Sequence, residues 1–242
     1  MQELAVMASR VLTAQRQFTS VADNIANVNT QGYRKLDMDF KEIISQPRPG
    51  ASTASYVEDR AIHVSTQQGG LLATSNPLDA AINGDGFFSI DVEGTTQYTR
   101  RGQFVLNNEG TLTTPEGYPV LDNAGAQIQI PAGFQDITIS SDGTLSTEQG
   151  QLAQLGVFTF SPEDLKKLER AGNTAFVPML GATAQVMETP VVRQGFLENS
   201  NVNAVEEMVN LQTVTRAYEN SVKLMKGLED LESAAIRQLG TQ

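Results

Sequence analysis

The sequence predicts an α+β protein with one long helix near each end of the chain and a mostly-β region between them. Three observations predict this architecture: an apolar heptad pattern at the start, a similar pattern at the end, and short β-like runs separated by turn residues in the middle. The chain has 242 residues, of which 40% are hydrophobic, so it can bury a core. Neither terminal helix can bury its apolar stripe alone, and we expect the two to form a coiled-coil-like helical domain.

The first helix is predicted from apolar residues that recur at alternating steps of three and four, which places them on one narrow stripe of a helix. These residues are Leu4, Met7, Val11, Ala14, Phe18, Val21, Ile25 and Val28. The helix should stop between Asn27 and Thr30, where residues that disfavour helices accumulate. Gly32 follows this stop and can adopt a positive φ.

The last helix shows the same spacing with a broader apolar face. The stripe contains Leu211, Val214, Tyr218, Ser221, Met225, Leu228, Ala235 and Leu239, and it is widened by Ala217, Leu224 and Leu231. Asn201 or Asn203 is the predicted N-cap, and Glu206 and Glu207 fall in or near the first turn, where the helix dipole favours anions. The broad face predicts contact with more than one neighbouring helix.

The middle of the chain is predicted to be mostly β, because β-like runs alternate with Gly, Asn, Asp and Pro. The predicted strands are 86–92, 97–99, 103–106, 127–130, 137–139 and 155–160. Hairpin turns are predicted at 122–125 and 141–143, and a short helix at 161–169 has Ser161 as its N-cap. The segment 37–71 contains Pro, Gly and a Ser/Thr/Ala stretch, which indicates an extended connector.

Four parts follow from these patterns. They are an N-terminal helix at 1–33, an extended linker at 34–72, a central mostly-β domain at 73–198 and a C-terminal helix at 199–242.

The composition argues against several classes of protein. The chain has 28 acidic and 17 basic residues, and its few cations are not clustered, so nucleic acid is not an expected partner. The absence of Cys excludes disulfides and thiolate metal sites. No apolar run reaches the roughly 18 residues that a membrane-spanning helix needs. Residues 1–9 include Glu3 and no basic cluster, so we expect no cleaved secretory signal peptide.

The sequence does not predict a nucleotide or metal site. The Gly84-Asp85-Gly86 segment begins like a phosphate loop, but Ser89 stands where the last glycine would fall, and a β-like run follows instead of a helix. A glycine turn is therefore predicted there. His63 is the single histidine and has no cysteine or second histidine as a partner, so we expect it at the surface.

The carboxylates do not predict catalysis. Asp85, Asp122 and Asp142 lie beside Gly or Asn in turn contexts, where side chains usually bond local amides, although sequence leaves a glycosidase-like pair open. No motif for a nucleophile is present, and Phe87-Phe88 are expected in the β core. We therefore predict a protein that is not an enzyme, with no catalytic residue, cofactor, metal ion or small-molecule ligand.

Five sequence blocks resemble one known family. The first is an N-x-A-N-x-x-T-x-G-[FY] pattern at the end of the first helix, formed by Asn24, Ala26, Asn27, Thr30, Gly32 and Tyr33. The others lie at 75–88, 98–104, 110–112 with 117–121, and 194–203 with 207–209. In this order they resemble the flagellar rod, hook and hook-associated family, and they cover both ends and most of the middle.

The resemblance implies a structural subunit of the flagellar basal-body rod that transmits torque. The short β region favours a rod subunit over hook or filament-cap proteins, and the modest length and the opening 7–10 are more similar to proximal-rod than to distal-rod members. Family members are exported unfolded through the flagellar type III apparatus, without a cleaved signal peptide, into the periplasm-spanning rod. A distal-rod or hook-type subunit and a peptidoglycan hydrolase remain as alternatives.

The resemblance also implies that the terminal helices contact copies of the chain and other rod proteins, without insertion into a membrane. On pattern alone a heptad stripe is more often an ordinary core face, but the terminal placement and the family blocks favour an assembly surface. The predicted assembly surface is Leu4, Met7, Val11, Phe18, Val21, Ile25, Val214, Tyr218, Leu224, Met225, Leu228 and Leu231. We expect these helices to be only partly ordered in the free monomer.

Overall fold

The computed structural model of the chain describes residues 2–44, 55–131 and 137–239. Its helices are α1 (Gln2–Ala26), α2 (Pro162–Leu165) and α3 (Ala204–Leu239). The first strands are β1 (Leu36–Ile44), β2 (Ser55–Val64), β3 (Leu71–Ala73), β4 (Ala80–Ile82), β5 (Phe87–Val92), β6 (Thr95–Thr99), β7 (Val105–Leu106) and β8 (Leu112–Thr113). The later strands are β9 (Thr138–Ile139), β10 (Thr144–Thr147), β11 (Gly150–Gln154), β12 (Val157–Thr159), β13 (Leu168–Ala171), β14 (Ala175–Pro178), β15 (Gln185–Val186), β16 (Val192–Gln194) and β17 (Phe196–Glu198).

The chain divides into two compact units. The helical unit comprises Met1–Ala26, Leu36–Ile62 and Asn203–Gln242, and the β unit comprises Asn27–Lys35 and His63–Val202. Each unit therefore collects segments that are distant in sequence.

In the helical unit α1 packs against α3. Helix α1 ends at Ala26, one residue before the predicted stop. Helix α3 begins at Ala204, and the side chain of Asn203 accepts a hydrogen bond from the backbone N of Val205 at 3.1 Å, so Asn203 is the N-cap. Ala14 and Val214 are buried on the two helices, which shows that part of each apolar stripe is used inside the unit. Whether the pair is a coiled coil stays a prediction.

Strands β1 and β2 lie in the segment that we expected to be an extended linker, and they pair with each other in a two-stranded sheet. The start of β1 has alternating apolar and polar residues, from Leu36 through Met38 to Phe40, which is the period of a strand. The prolines and glycines farther along the segment obscured this pattern.

The β unit is organised around a six-stranded sheet with the order β13-β14-β6-β5-β12-β15, and its neighbouring strands pair antiparallel. The central strand β5 carries Phe87 and Phe88 on opposite faces, and both are buried, as predicted. Phe88 meets Phe104 edge to face at 5.3 Å, whereas Phe87 meets Phe160 and Phe176, each at 5.8 Å. The sheet is therefore covered on both sides near β5.

Several predicted elements differ in extent from the expectation, and two of them differ most. The segment 127–130 forms isolated bridges rather than a strand, although Ile128 and Ile130 are buried. The helix predicted at 161–169 is limited to α2, because the chain enters β13 at Leu168 and pairs with β14. Its predicted cap is confirmed: Ser161 Oγ accepts from the backbone N of Asp164 at 3.1 Å. Within the described ranges, every helix is too short or too polar to cross a membrane.

Candidate assembly surface

A buried amide side chain links three elements of the helical unit. Asn24 of α1 donates from Nδ2 to the backbone O of Leu36 at 3.1 Å and accepts at Oδ1 from the backbone N of Leu36 at 3.0 Å. The same Nδ2 lies 3.4 Å from Glu207 Oε2 on α3. Asn24 and Glu207 are both 1% exposed, so these polar groups bond each other and the backbone in place of water.

Several large apolar side chains of the same two helices are exposed. They are Leu12, Phe18, Val205, Met208, Val209, Tyr218 and Leu224, with exposed fractions between 38% and 72%. Val205, Met208 and Val209 are spaced i, i+3 and i+4, so they share one face of α3. A group of exposed apolar side chains on one face is typical of a surface that contacts another protein.

The structure divides the predicted assembly surface into three groups. Val214 is buried inside the helical unit, whereas Phe18, Tyr218 and Leu224 are exposed. The half-buried members are Val11, Val21, Ile25 and Met225. The side chains of Leu4, Met7, Leu228 and Leu231 lie outside the described part of the chain. Contact of these residues with other subunits stays a prediction.

The sequence interpretation missed the exposed residues Leu12, Val205, Met208 and Val209. Val205 and Met208 precede the heptad stripe of α3 and do not continue its spacing toward the N-terminus. A search for one stripe therefore does not find them. The signal that could have found them is the i, i+3, i+4 spacing directly after the N-cap.

The residues of the first family block close the turn after α1. Thr30 Oγ1 donates to Asn27 Oδ1 at 3.0 Å, and the backbone N of Gly32 donates to the backbone O of Glu198 at 2.7 Å. Gly32 has a φ of 71°, and a Cβ there would overlap the backbone N of Arg101, so a side chain does not fit. Tyr33 is buried, and the guanidinium carbon of Arg170 lies 4.2 Å from the centre of its ring. Ala26 is exposed at the end of α1.

Three charged side chains form a buried cluster in the β unit. Glu198 Oε2 accepts from Arg100 Nε at 2.9 Å and lies 2.7 Å from Arg100 Nη2. Glu198 Oε1 lies 2.9 Å from Arg34 Nε, as an ion pair rather than an aligned hydrogen bond. The exposed fractions are 4% for Arg34 and 1% for the other two side chains.

Backbone carbonyls complete the surroundings of both guanidinium groups. Arg34 Nη1 donates to the O of Thr66 at 2.8 Å and also to the O of Gln67. Arg100 donates to the O of Gly86 from Nη1 and to the O of Gly84 from Nη2 at 2.8 Å. Carbonyl oxygens of the 84–86 turn thus point at a cation, the reverse of a phosphate loop, whose N–H groups point at an anion. The predicted glycine turn is confirmed, with φ of 99° at Gly84 and 122° at Gly86.

Burial shifts the two arginines in the same direction. Burial, with Arg100 close by, lowers the pKa of Arg34 to about 10, and Glu198 opposes this shift. Burial also lowers the pKa of Arg100, again against the effect of Glu198. Arginine side chains stay protonated in proteins, so both guanidinium groups are cations, and the carboxylate of Glu198 contacts both.

Two of the three predicted turn carboxylates, Asp122 and Asp142, bond local groups. Asp122 Oδ1 accepts from the backbone N of Ala124 and of Ala126, each at 2.8 Å, and Asp142 Oδ1 accepts from the backbone N of Thr144 at 3.0 Å. His63 is half-buried near the end of β2. Among the described residues, no group of acidic, histidine or cysteine side chains has the arrangement of a metal site.

Comparisons with known proteins agree with the sequence blocks. The model of the flagellar hook protein FlgE/F/G D1 domain matches residues 81–147, and the model of the flagellar basal body rod FlgEFG protein C-terminal region matches residues 193–238. The chain is 38% identical over 238 residues to the flagellar basal-body rod protein FlgF of Rhizobium meliloti, covering 98% of this chain and 97% of that protein. It is 34% identical to FlgF of Caulobacter vibrioides, over 98% of this chain and 97% of that protein. It is 33% identical to FlgG of Agrobacterium fabrum, over 99% of this chain and 100% of that protein.

Proposed function

Because the chain belongs to the family of flagellar basal-body rod proteins and is a structural, non-enzymatic subunit of that rod, we propose that its terminal helices join it to its neighbours at the proximal end of the rod. The chain assembles with other flagellar basal-body rod proteins. The identity of 38% to one FlgF, against 33% to one FlgG, supports the proximal position.

The exposed apolar side chains of α1 and α3 carry this proposal. Phe18 is 44% exposed and Leu224 is 55% exposed, although Ala14 and Val214 of the same helices are buried. Fully burying a Phe or Leu side chain stabilises a contact by about 1.5–3 kcal/mol. Neighbouring helices of a rod would cover these side chains, and a tube of packed helices would transmit torque along its axis.

We also propose that the chain reaches the periplasm-spanning rod through the flagellar type III apparatus, unfolded and with helix α1 retained. Helix α1 supports this proposal, because it contributes Ala14 and Asn24 to the interior of the helical unit. Cleavage within α1 would remove the packing partner of α3. The absence of Cys also means that no disulfide has to form after export.

The experiment introduces a charge at the exposed apolar positions. Phe18→Asp and Leu224→Asp are each expected to prevent incorporation into isolated basal bodies while the free energy of unfolding of the purified monomer stays within about 0.5 kcal/mol of the wild type. Gln212→Asp, at an exposed polar position of α3, is the matched control and should assemble normally. Normal incorporation of both Phe18→Asp and Leu224→Asp would contradict the proposed assembly surface.

The position along the axis needs a separate measurement. A photo-crosslinking residue at Leu12 or Met208, both exposed, should capture proximal-rod proteins and copies of the chain. Capture of hook subunits alone would instead place the chain at the distal end.

A further inference from the structure

The buried charge cluster of the β unit holds unequal numbers of opposite charges. Arg34 and Arg100 carry two positive charges, and Glu198 supplies one negative charge to both. The carboxylate of Asp85 also acts on both arginines, but Asp85 is exposed, so water screens it. Glu198 is therefore the buried group that compensates this pair of like charges.

Loss of this single anion would leave two buried cations facing each other. Removing one partner of a buried ion pair is strongly unfavourable, because the remaining charge is neither hydrated nor paired. The carbonyl groups of Thr66 and Gly84 supply only partial charges. The arrangement of the segments around Arg34 and Arg100 thus depends on Glu198.

Glu198 comes late in the chain, whereas its side-chain partners among the described residues come earlier. Its carboxylate contacts Arg34 and Arg100 and accepts from the backbone N of Gly69 at 3.2 Å, and its backbone O accepts from Gly32. It ends strand β17, which pairs with β3, and β16 just before it pairs with β4. One residue near the end of the β unit therefore contacts four residues that all precede residue 102. They are Gly32, Arg34, Gly69 and Arg100.

We propose that Glu198 is a positioning residue that makes folding of the β unit wait for the C-terminal part of the chain. The segments that contain Arg34 and Arg100 adopt their native arrangement only together with β16 and β17, because until then two cations would be buried without an anion. In a chain that is exported from its N-terminus, the β unit would stay unfolded until residue 198 has emerged. This consequence, unlike the folding order itself, rests on the export route given under Proposed function.

Pulse-labelling hydrogen exchange during refolding of the full-length wild-type chain tests the folding order. Amides of β5 to β8 should become protected in the same kinetic phase as those of β16 and β17. Protection of β5 to β8 in an earlier phase would overturn the proposal. This measurement does not depend on whether any variant folds.

A second experiment tests the charge argument with Glu198→Gln, which keeps the shape of the side chain and removes its charge. Refolding of the full-length chain should slow by at least about tenfold, since the lost interaction is already needed in the transition state. Glu109→Gln, at an exposed position, should leave the rate unchanged.

Adding Arg34→Met to Glu198→Gln separates repulsion from ordinary packing. The double variant should refold faster than Glu198→Gln, because it removes one of the two uncompensated cations. In the wild-type background Arg34→Met should instead slow refolding, because it removes an ion pair. A double variant that refolds no faster than Glu198→Gln would overturn the proposal. Both experiments use the purified chain, whereas rod assembly is measured on isolated basal bodies. A negative result here would therefore not contradict the proposed assembly surface.

Discussion

Arg100 and Glu198 are separated by 98 positions in sequence, yet their side chains meet at 2.7 Å in the interior of the β unit. Arg100 follows β6 directly, and Glu198 ends β17. Their contact joins a strand of the six-stranded sheet to the short sheet formed by β17 and β3. Breaking a buried charge pair of this kind is strongly unfavourable, because it leaves a buried charge unpaired.

Removal of the Arg100 side chain is expected to destabilise the β unit strongly. Arg100→Leu leaves Glu198 with one cation and leaves the carbonyls of Gly84 and Gly86 without their donor. We expect the free energy of unfolding to fall by about 3–5 kcal/mol, as for other broken buried pairs. Urea denaturation followed by circular dichroism measures it. Lys166→Leu, at an exposed position, should change it by less than about 0.5 kcal/mol, and an equally small change for Arg100→Leu would refute the prediction.

Gly32 and Gly172 allow the cost of a clash to be separated from the cost of backbone conformation. Their φ values are 71° and 70°, but a Cβ at Gly172 would meet open space, whereas one at Gly32 would overlap the backbone of Arg101. Gly172→Ala should therefore cost about 1–2 kcal/mol, the penalty of a left-handed residue. Gly32→Ala should cost more, because a close-packed backbone has to move. Thermal unfolding of both variants measures the difference, and equal losses would show that the contact with Arg101 relaxes freely.

Asn24 is expected to stabilise the helical unit through its two bonds to Leu36. Asn24→Ala removes the acceptor of the backbone N–H of Leu36 and leaves its carbonyl with the 3.4 Å bond from Ser20 Oγ. A buried polar group that loses its partner costs about 1–3 kcal/mol. Hydrogen exchange at the amide of Leu36 should accelerate accordingly. Asn29→Ala serves as the control, since Asn29 is exposed. Unchanged exchange at Leu36 in Asn24→Ala would mean that these two bonds add no stability.

The carboxyl group of Asp142 is expected to titrate below its usual range. Hydrogen bonds from the backbone N and from Oγ1 of Thr144 lower the pKa of Asp142 from 3.8. Because the pKa is lower in the folded state, the stabilisation of this turn is present above pH 3.8 and is lost as the pH falls through the folded value. Carboxyl chemical shifts in NMR titrations report this pKa. Thr144→Val should raise it and Thr147→Val should not; a pKa that stays the same in Thr144→Val would exclude the hydroxyl as a cause.

The exposed face at the start of α3 is expected to serve assembly rather than folding. Met208→Glu places a charge on the face that Met208 shares with Val205 and Val209, and Met208 is 59% exposed. The free energy of unfolding of the monomer should change by less than about 0.5 kcal/mol, whereas incorporation into basal bodies should fall. Gln212→Asp again provides the control. Normal incorporation of Met208→Glu would remove this face from the assembly surface.

The sequence predicted the elements that depend on local patterns. The stop after α1, the Asn203 cap and the Ser161 cap each follow from a few neighbouring residues. Strand β5 and the buried pair Phe87-Phe88 follow from a run of β-formers after a glycine turn.

The buried charge cluster could not be predicted in this way. Arg34, Arg100 and Glu198 each look like ordinary charged residues in sequence, and charged residues are usually exposed. Only the pairing of β17 with β3 brings them together. The division of the apolar stripes could not be predicted either: Val214 is buried and Leu224 is exposed, although both fit the same helical pattern.

The bonds between Asn24 and Leu36 also affect how the sheet of β1 and β2 meets other molecules. The amide of Asn24 donates to and accepts from the same residue, as a peptide group in an adjacent strand would. The backbone N–H and C=O of Leu36, the first residue of β1, are thereby already hydrogen-bonded to a side chain. An unpaired strand edge is a template for pairing with another chain and so for aggregation. A single asparagine at the end of a helix thus caps the point at which a foreign strand would start to pair.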